Sequence, residues 1–207
     1  MKLEEINVRC AHCGKESRQK FIFSSSSFGA MDLDTRPAPP ARKFLSLEIQ
    51  RCPHCGYCAP DISEGENIRL SPAYEVFAGR GGMDGTGKNF LLAAMLCSEQ
   101  GKEPEAGIFC LKAAWAFDDA ADTANAAAAR EKAAEHLLRY VDAEEDGDIA
   151  IVLVDVYRRA GMFSEAEGMI GRIGDTGDED MNAVLAYQRR LIRAKDVSRH
   201  TVEEAEA

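Results

Sequence analysis

The chain has 207 residues, 45% of them apolar, a formal net charge of −10 and a pI near 5.0. That length allows one large domain or two small ones, and the apolar share is enough for a packed core. The acidity excludes a protein that binds nucleic acid over its whole surface, because a phosphate backbone would be repelled. The charge is also uneven: residues 1–60 hold nine Lys/Arg and six Asp/Glu, a net of +3, which leaves −13 for residues 61–207.

Lys2, Glu4, Glu5 and Arg9 interrupt any apolar leader at the start, and no apolar run reaches membrane-spanning length; Ile149 to Val154 is the longest notable one. The expected compartment is therefore the cytoplasm. In that reducing setting the Cys-x-x-Cys pairs among the seven cysteines read as metal sites or redox motifs rather than disulfides.

Two matching hooks dominate residues 1–66, Cys10-Ala11-His12-Cys13-Gly14 and Cys52-Pro53-His54-Cys55-Gly56. Two residues between cysteines let the backbone close a knuckle with both sulfurs facing one ion, and a glycine after it can take positive φ. Cys10, Cys13, Cys52 and Cys55 together complete a tetrahedral Zn2+ shell, so the expected cofactor is one structural zinc per chain. His12 and His54 read as solvent-facing knuckle residues. Cys58 extends the second hook to Cys-x-x-Cys-x-x-Cys, which also suggests an iron–sulfur cluster; the plainer reading is a small residue packed beside the ribbon. Around the hooks, Phe21-Ile22-Phe23 and Phe44 to Ile49 read as short strands, the latter half-buried. Ser24 to Ser27 and Arg36-Pro37-Ala38-Pro39-Pro40 read as a long exposed loop.

Cys10-x-x-Cys13-Gly14, Asp32-Leu33-Asp34-Thr35-Arg36 and Cys52-Pro53-His54-Cys55-Gly56-Tyr57, in that order, resemble the bacterial family catalogued as domain of unknown function 2225. Ala114-Trp115-Ala116 and Tyr157-Arg158-Arg159-Ala160-Gly161 extend the likeness over most of the chain. It departs at Ser24 to Ser27, where such proteins carry a mixed basic stretch. The resemblance implies a two-knuckle ribbon followed by tetratricopeptide-like helices, and it implies no activity.

Residues 67–88 hold a short helix, Pro72 to Gly79 with Ser71 as N-cap, and a glycine-rich linker. Gly82 to Lys88 has the Gly-x4-Gly-Lys spacing of a phosphate-binding loop. Asn89 stands where a hydroxyl would hold Mg2+, and no strand precedes the loop, so nucleotide binding at 82–88 is the weakest of the readings.

Residues 89–197 read as helices: Phe90 to Gln100 with Asn89 as N-cap, then about 104–117, 123–141, 148–160, 164–173 and 179–195. Sliding the chain by sixty residues lays Gly101 on Gly161, Ala106 on Ala166 and Cys97 on Tyr157, a pattern similar to the tetratricopeptide hairpin. Cys97, Cys110, Trp115 and Phe117 read as core or groove wall, and His136 as a core-edge residue. Asp142 to Asp148 and Asp175 to Asp180 read as solvated turns, and 198–207 as a polar tail whose end, Val202 to Ala207, frays.

The expected fold is mostly α with a small N-terminal β zinc ribbon and antiparallel helical hairpins. No catalytic constellation stands out. The leading functional reading is a non-enzymatic protein-interaction module whose acidic helical surface meets an unidentified protein partner, a basic one being favoured by that charge. The competing reading is a nucleic-acid-binding ribbon using Arg9, Lys15, Arg18, Lys20, Arg42, Lys43 and Arg51.

Overall fold

Each knuckle sits at the tip of a small antiparallel hairpin. β1 (Lys2–Arg9) pairs with β2 (Glu16–Ser24) around the first, and β3 (Gln50–Arg51) pairs with β4 (Cys58–Ala59) around the second. The computed structural model describes residues 2–205 except 25, 67, 82, 84 and 142–146, and only the backbone of residues 2, 23 and 24. β1 was not legible in the sequence. Leu3 and Ile6 on it stay exposed, so it lacks the strong alternation that a buried face imposes.

The expected strand Phe44 to Ile49 is instead a 3₁₀ helix, Ala41–Leu47. Leu45 and Ile49, four residues apart, both enter the helical core there, and that burial overrides the alternation.

The chain then becomes helical: α1 (Pro72–Gly79), α2 (Thr86–Glu99), α3 (Glu103–Asp119), α4 (Thr123–Leu138), α5 (Gly147–Arg159), α6 (Phe163–Ile173) and α7 (Glu179–Arg193). The protein is thus mostly α with a small N-terminal β region. Ser71 caps α1 as expected, its hydroxyl accepting from the Tyr74 N–H at 3.1 Å. Helix α2 starts earlier than expected, with Gly85 at its cap rather than Asn89. Gly87 and Lys88 therefore belong to a helix and not to a linker. A Cβ on Gly87 would lie 2.6 Å from the Phe117 ring, so the glycine lets α2 approach α3 closely. Gly82 and Asp84 of the same segment, and 142–146 of the acidic turn, lie outside the described residues.

One turn geometry recurs between helices. Gly101 donates to Ser98 O and Lys102 to Cys97 O, while Gly161 donates to Arg158 O and Met162 to Tyr157 O. These are the positions that the sixty-residue slide aligns. A third copy joins α3 to α4, where Ala121 donates to Asp118 O and Asp122 to Phe117 O. Ala121 takes φ +56° without being glycine, which is why the sequence hid it. The slide spans three helices, so it lays the α2–α3 hairpin on the α5–α6 hairpin.

The segment read as an exposed loop is the most consequential departure. Asp32, Leu33, Asp34, Arg36 and Ala38 are all buried. A turn with Thr35 at φ +68° drives Asp34 into the helices. There one Asp34 oxygen accepts from the Trp115 indole N–H and from Arg159, each at 2.9 Å. Arg130 stands 3.6 Å from the same oxygen. Asp118 closes the cluster, accepting from Arg159 at 2.8 Å and from both Arg130 Nη groups. Three helices, α3, α4 and α5, thus converge on one carboxylate from the N-terminal segment.

The tail is also tied down, contrary to the expected fraying. Arg158 is fully buried and donates to the carbonyls of Asp196 (2.5 Å) and Ser198 (2.9 Å) while pairing with Asp155. Leu33 donates to His200 O, Val202 donates to Met31 O, and Asp32 bridges Thr201 in antiparallel fashion. A short 3₁₀ turn, Glu203–Ala205, follows; residues 206 and 207 lie outside the described residues.

Removing one member of a buried charge cluster strands the others without solvent. Asp34→Asn is expected to lower unfolding stability by about 3–5 kcal/mol, read as a fall in the urea midpoint. Asp118 adds a pH signature. Burial pushes its carboxyl up, but hydrogen bonds from Arg130 and the charges of Arg130 and Arg159 outweigh that and hold it below the ordinary range. Its contribution is therefore complete above the unfolded value, about 3.9, and is lost as pH falls through the lower folded value. Asp118→Asn should be less stable than wild type at neutral pH, and the gap should close on acidification below about pH 4. A gap that stays constant down to pH 2 would contradict the pairing.

Candidate metal centre

The two knuckles are the same structure twice. Gly14 donates to Cys10 O and Gly56 to Cys52 O, each at 2.9 Å, with φ of +69° and +76°. Cys10 N–H then bonds Lys15 O at 3.0 Å, and Cys52 N–H bonds Tyr57 O at 2.8 Å. Positive φ after the second cysteine turns the chain back, and this is where glycine is required. The turn also aims backbone N–H groups at sulfur, those of Lys15 at Cys13 and Tyr57 at Cys55. Such donors favour the thiolate form.

The four sulfurs of Cys10, Cys13, Cys52 and Cys55 lie within 4.8 Å of one another. Two edges of the group are 3.8 Å (Cys10–Cys55) and 3.7 Å (Cys13–Cys52), each linking one knuckle to the other. Sulfurs about 2.3 Å from a common centre in a tetrahedron stand about 3.8 Å apart, so the group fits a single four-coordinate ion. The separations are far beyond the roughly 2.0 Å of a disulfide, and all four cysteines are free. The four-cysteine cluster can therefore hold a metal ion.

The electrostatics fit the same use. Burial pushes the Cys10 and Cys55 thiols up. The Lys15 N–H brings Cys13 down to about 7. A divalent ion among them favours all four thiolates at once, so loading releases protons and acid reverses it.

The other residues singled out in the sequence take different places. His12 Nδ1 bonds Ile68 O at 2.9 Å, and His54 Nε2 bonds Glu16 O at 3.1 Å, so both rings brace the knuckles against neighbouring backbone. Cys58 lies outside the sulfur group. It is fully buried, its thiol donates to Gly56 O at 3.4 Å and Asn89 Oδ1 at 3.7 Å, and burial raises it to about 11. Asn89 also accepts from Arg51 at 3.3 Å, so it joins the second knuckle to α2. Lys88 is buried with its ammonium on Arg80 O. A phosphate loop needs an ammonium and a hydroxyl aimed at solvent, which these two residues do not provide. His136 pairs with Glu103 at 2.5 Å on the rim of α3 and α4.

Sequence reasoning missed what supports the centre. Cys10, Cys52, Tyr57, Cys58 and Ile62 share one small core with Tyr74 of α1 and Leu92 and Leu96 of α2. The Tyr74 hydroxyl donates to Gly56 O at 3.2 Å and accepts from the Cys58 N–H at 2.9 Å. Ser71 as cap and Pro72 at the first helical position signal the helix that carries this tyrosine, but not its contact with the knuckle.

No protein-family model, curated protein or solved structure matches this chain. The donor set itself therefore carries the chemistry. Purified protein should contain one metal ion per chain by elemental analysis. Cys13→Ser should lose it, and Cys58→Ala should keep it in full; metal loss in Cys58→Ala would place a fifth sulfur in the shell. ATP at millimolar concentration should leave the melting temperature unchanged.

Proposed function

We propose that this protein is a non-enzymatic cytoplasmic interaction module. In this reading one structural zinc ion, held by Cys10, Cys13, Cys52 and Cys55, supports a helical array that meets a basic protein partner. The observation that carries the zinc reading is the sulfur tetrahedron. Four thiolates match zinc's preference, the spacing admits one ion rather than a cluster, and a shell filled by protein leaves no position for substrate. Calcium and magnesium select oxygen donors and do not suit it. Membership of the domain of unknown function 2225 family is part of the same proposal. Its support is that Asp34 and Arg159, from two segments that carry the resemblance, meet in one buried cluster. The recurring interhelical turn supports the tetratricopeptide-like reading of the helices.

The partner reading rests on charge. Residues 61–207 carry −13, and Glu165, Glu167, Asp175, Asp178, Glu179 and Asp180 are exposed around the α6–α7 corner. A field of this sign speeds encounter with a basic surface and repels nucleic acid. The ribbon retains exposed Arg9, Lys15, Arg18 and Lys20, which favour the competing nucleic-acid reading. Three of them face carboxylates: Arg9 faces Glu16, while Arg18 and Lys20 face Glu5. Arg42 and Arg51 are turned inward, onto Asp32 and Asn89.

Two measurements test the proposal on the full chain. Elemental analysis should return zinc, and iron would overturn the metal assignment. A partner recovered by in-cell cross-linking should bind purified protein more weakly as salt rises, and more weakly still with Glu179→Lys/Asp180→Lys. A partner indifferent to both changes, or a short oligonucleotide binding more tightly than that partner, would sink the acidic-surface reading.

A further inference from the structure

A cavity of about 820 Å³ lies away from the sulfur cluster, between α1, α2 and α4, with Cys110 of α3 also in its lining. That volume lies within the range of small-molecule sites, about 300–1,000 Å³. Val76 and Phe77 of α1 line it together with Leu91 and Met95 of α2 and Ala129 of α4. Val76 is 58% exposed, an apolar side chain left in water beside an apolar hollow.

The polar groups are few and uneven in charge. Glu99 is engaged by the Ser71 hydroxyl at 2.5 Å, and His136 is turned to Glu103. Arg80 and Lys132 also line the cavity, both are exposed, and among the described residues neither side chain has a carboxylate partner. In a chain of net charge −10, two uncompensated cations beside an apolar hollow are the complement of an anionic head on an apolar body. Burial pushes the Cys110 thiol up to about 12, and the charge of Lys132, itself in the lining, opposes that rise. A peptide is a poorer fit. Each of its residues brings an N–H and a C=O that need partners, and beyond Arg80, Glu99, Lys132 and His136 the lining offers only the side chains of Ser98 and Asn125. An acyl chain needs none.

We propose that this cavity binds a single-chain amphiphile with an anionic head, of the long-chain carboxylate class, with the chain against Phe77, Leu91 and Met95 and the head neutralising Arg80 and Lys132. The wall formed by α1 is fixed by Tyr74 on the second knuckle, so the cavity is built on the same support as the metal centre.

The test uses the full metal-loaded chain, with dodecanoate as the probe and 1-dodecanol as its neutral counterpart, each displacing anilinonaphthalene sulfonate. Dodecanoate should bind more tightly than 1-dodecanol. Arg80→Gln/Lys132→Gln should weaken dodecanoate about tenfold, roughly 1.4 kcal/mol, and leave 1-dodecanol unchanged. Ala128→Trp, and separately Val76→Trp, replace exposed cavity-lining residues and should block both ligands while the helical circular dichroism is retained. The proposal is overturned if dodecanoate fails to bind below its micelle-forming concentration, or if the alcohol binds equally well. It is also overturned if both tryptophan variants fold and still bind as wild type does.

Discussion

A carboxylate taken out of water needs partners to replace its lost hydration, and Asp34 is where this protein meets that need most fully. Trp115 on α3 and Arg159 on α5 donate to it, and the Arg130 guanidinium on α4 stands 3.6 Å away as a third, ionic partner. None of the three can shift by even an ångström without leaving a buried charge under-compensated, because charge-assisted bonds weaken steeply with geometry. The cluster therefore sets the relative placement of three helices, which apolar packing alone would hold less sharply. It also fixes where the N-terminal segment must pass. Asp32, two residues earlier, pairs with Arg42 and Arg199, so the same turn draws in the 3₁₀ segment and the tail. Consecutive arginines divide the work: Arg158 clamps the tail and Arg159 holds Asp34.

The four-cysteine cluster has a different dependence. Residues 1–66 have too little apolar surface to close a core of their own. Among their buried apolar side chains, Leu45 and Ile49 join the helical core, while Cys10, Cys52, Tyr57, Cys58 and Ile62 pack with α1 and α2. The knuckles are thus not an appendage. An ion among the four sulfurs would hold Gly56, Gly56 holds Tyr74, and Tyr74 positions α1 on α2. Helix α1 is only eight residues long and lines the apolar cavity on one side, so its position depends on that anchor more than on its own helical stability.

Residues that drew notice in the sequence for one reason often serve another. Asn89 looked like a helix cap or the flawed end of a phosphate loop, and it is the acceptor that joins Arg51 and Cys58 to α2. The glycines before it looked like linker, yet Gly87 makes room for Phe117. In each case the local rule was sound, and a neighbour from a distant part of the chain decided the outcome.

By itself the sequence determined the helices from α1 to α7, because an apolar stripe of period near 3.6 and its caps are local properties. It determined the four clustered cysteines too, because a knuckle is a five-residue device whose geometry follows from Cys-x-x-Cys-Gly. Tertiary structure alone decided the rest. Asp34, Arg130, Arg158 and Arg159 are charged residues that every local rule assigns to the surface; their burial depends on partners as far as 125 residues away, as between Arg159 and Asp34. No periodicity encodes a pairing across such distances. The 3₁₀ turn at Ala41–Leu47, the anchored tail and the cavity beside α1 follow from the same cause: each is set by what packs against it.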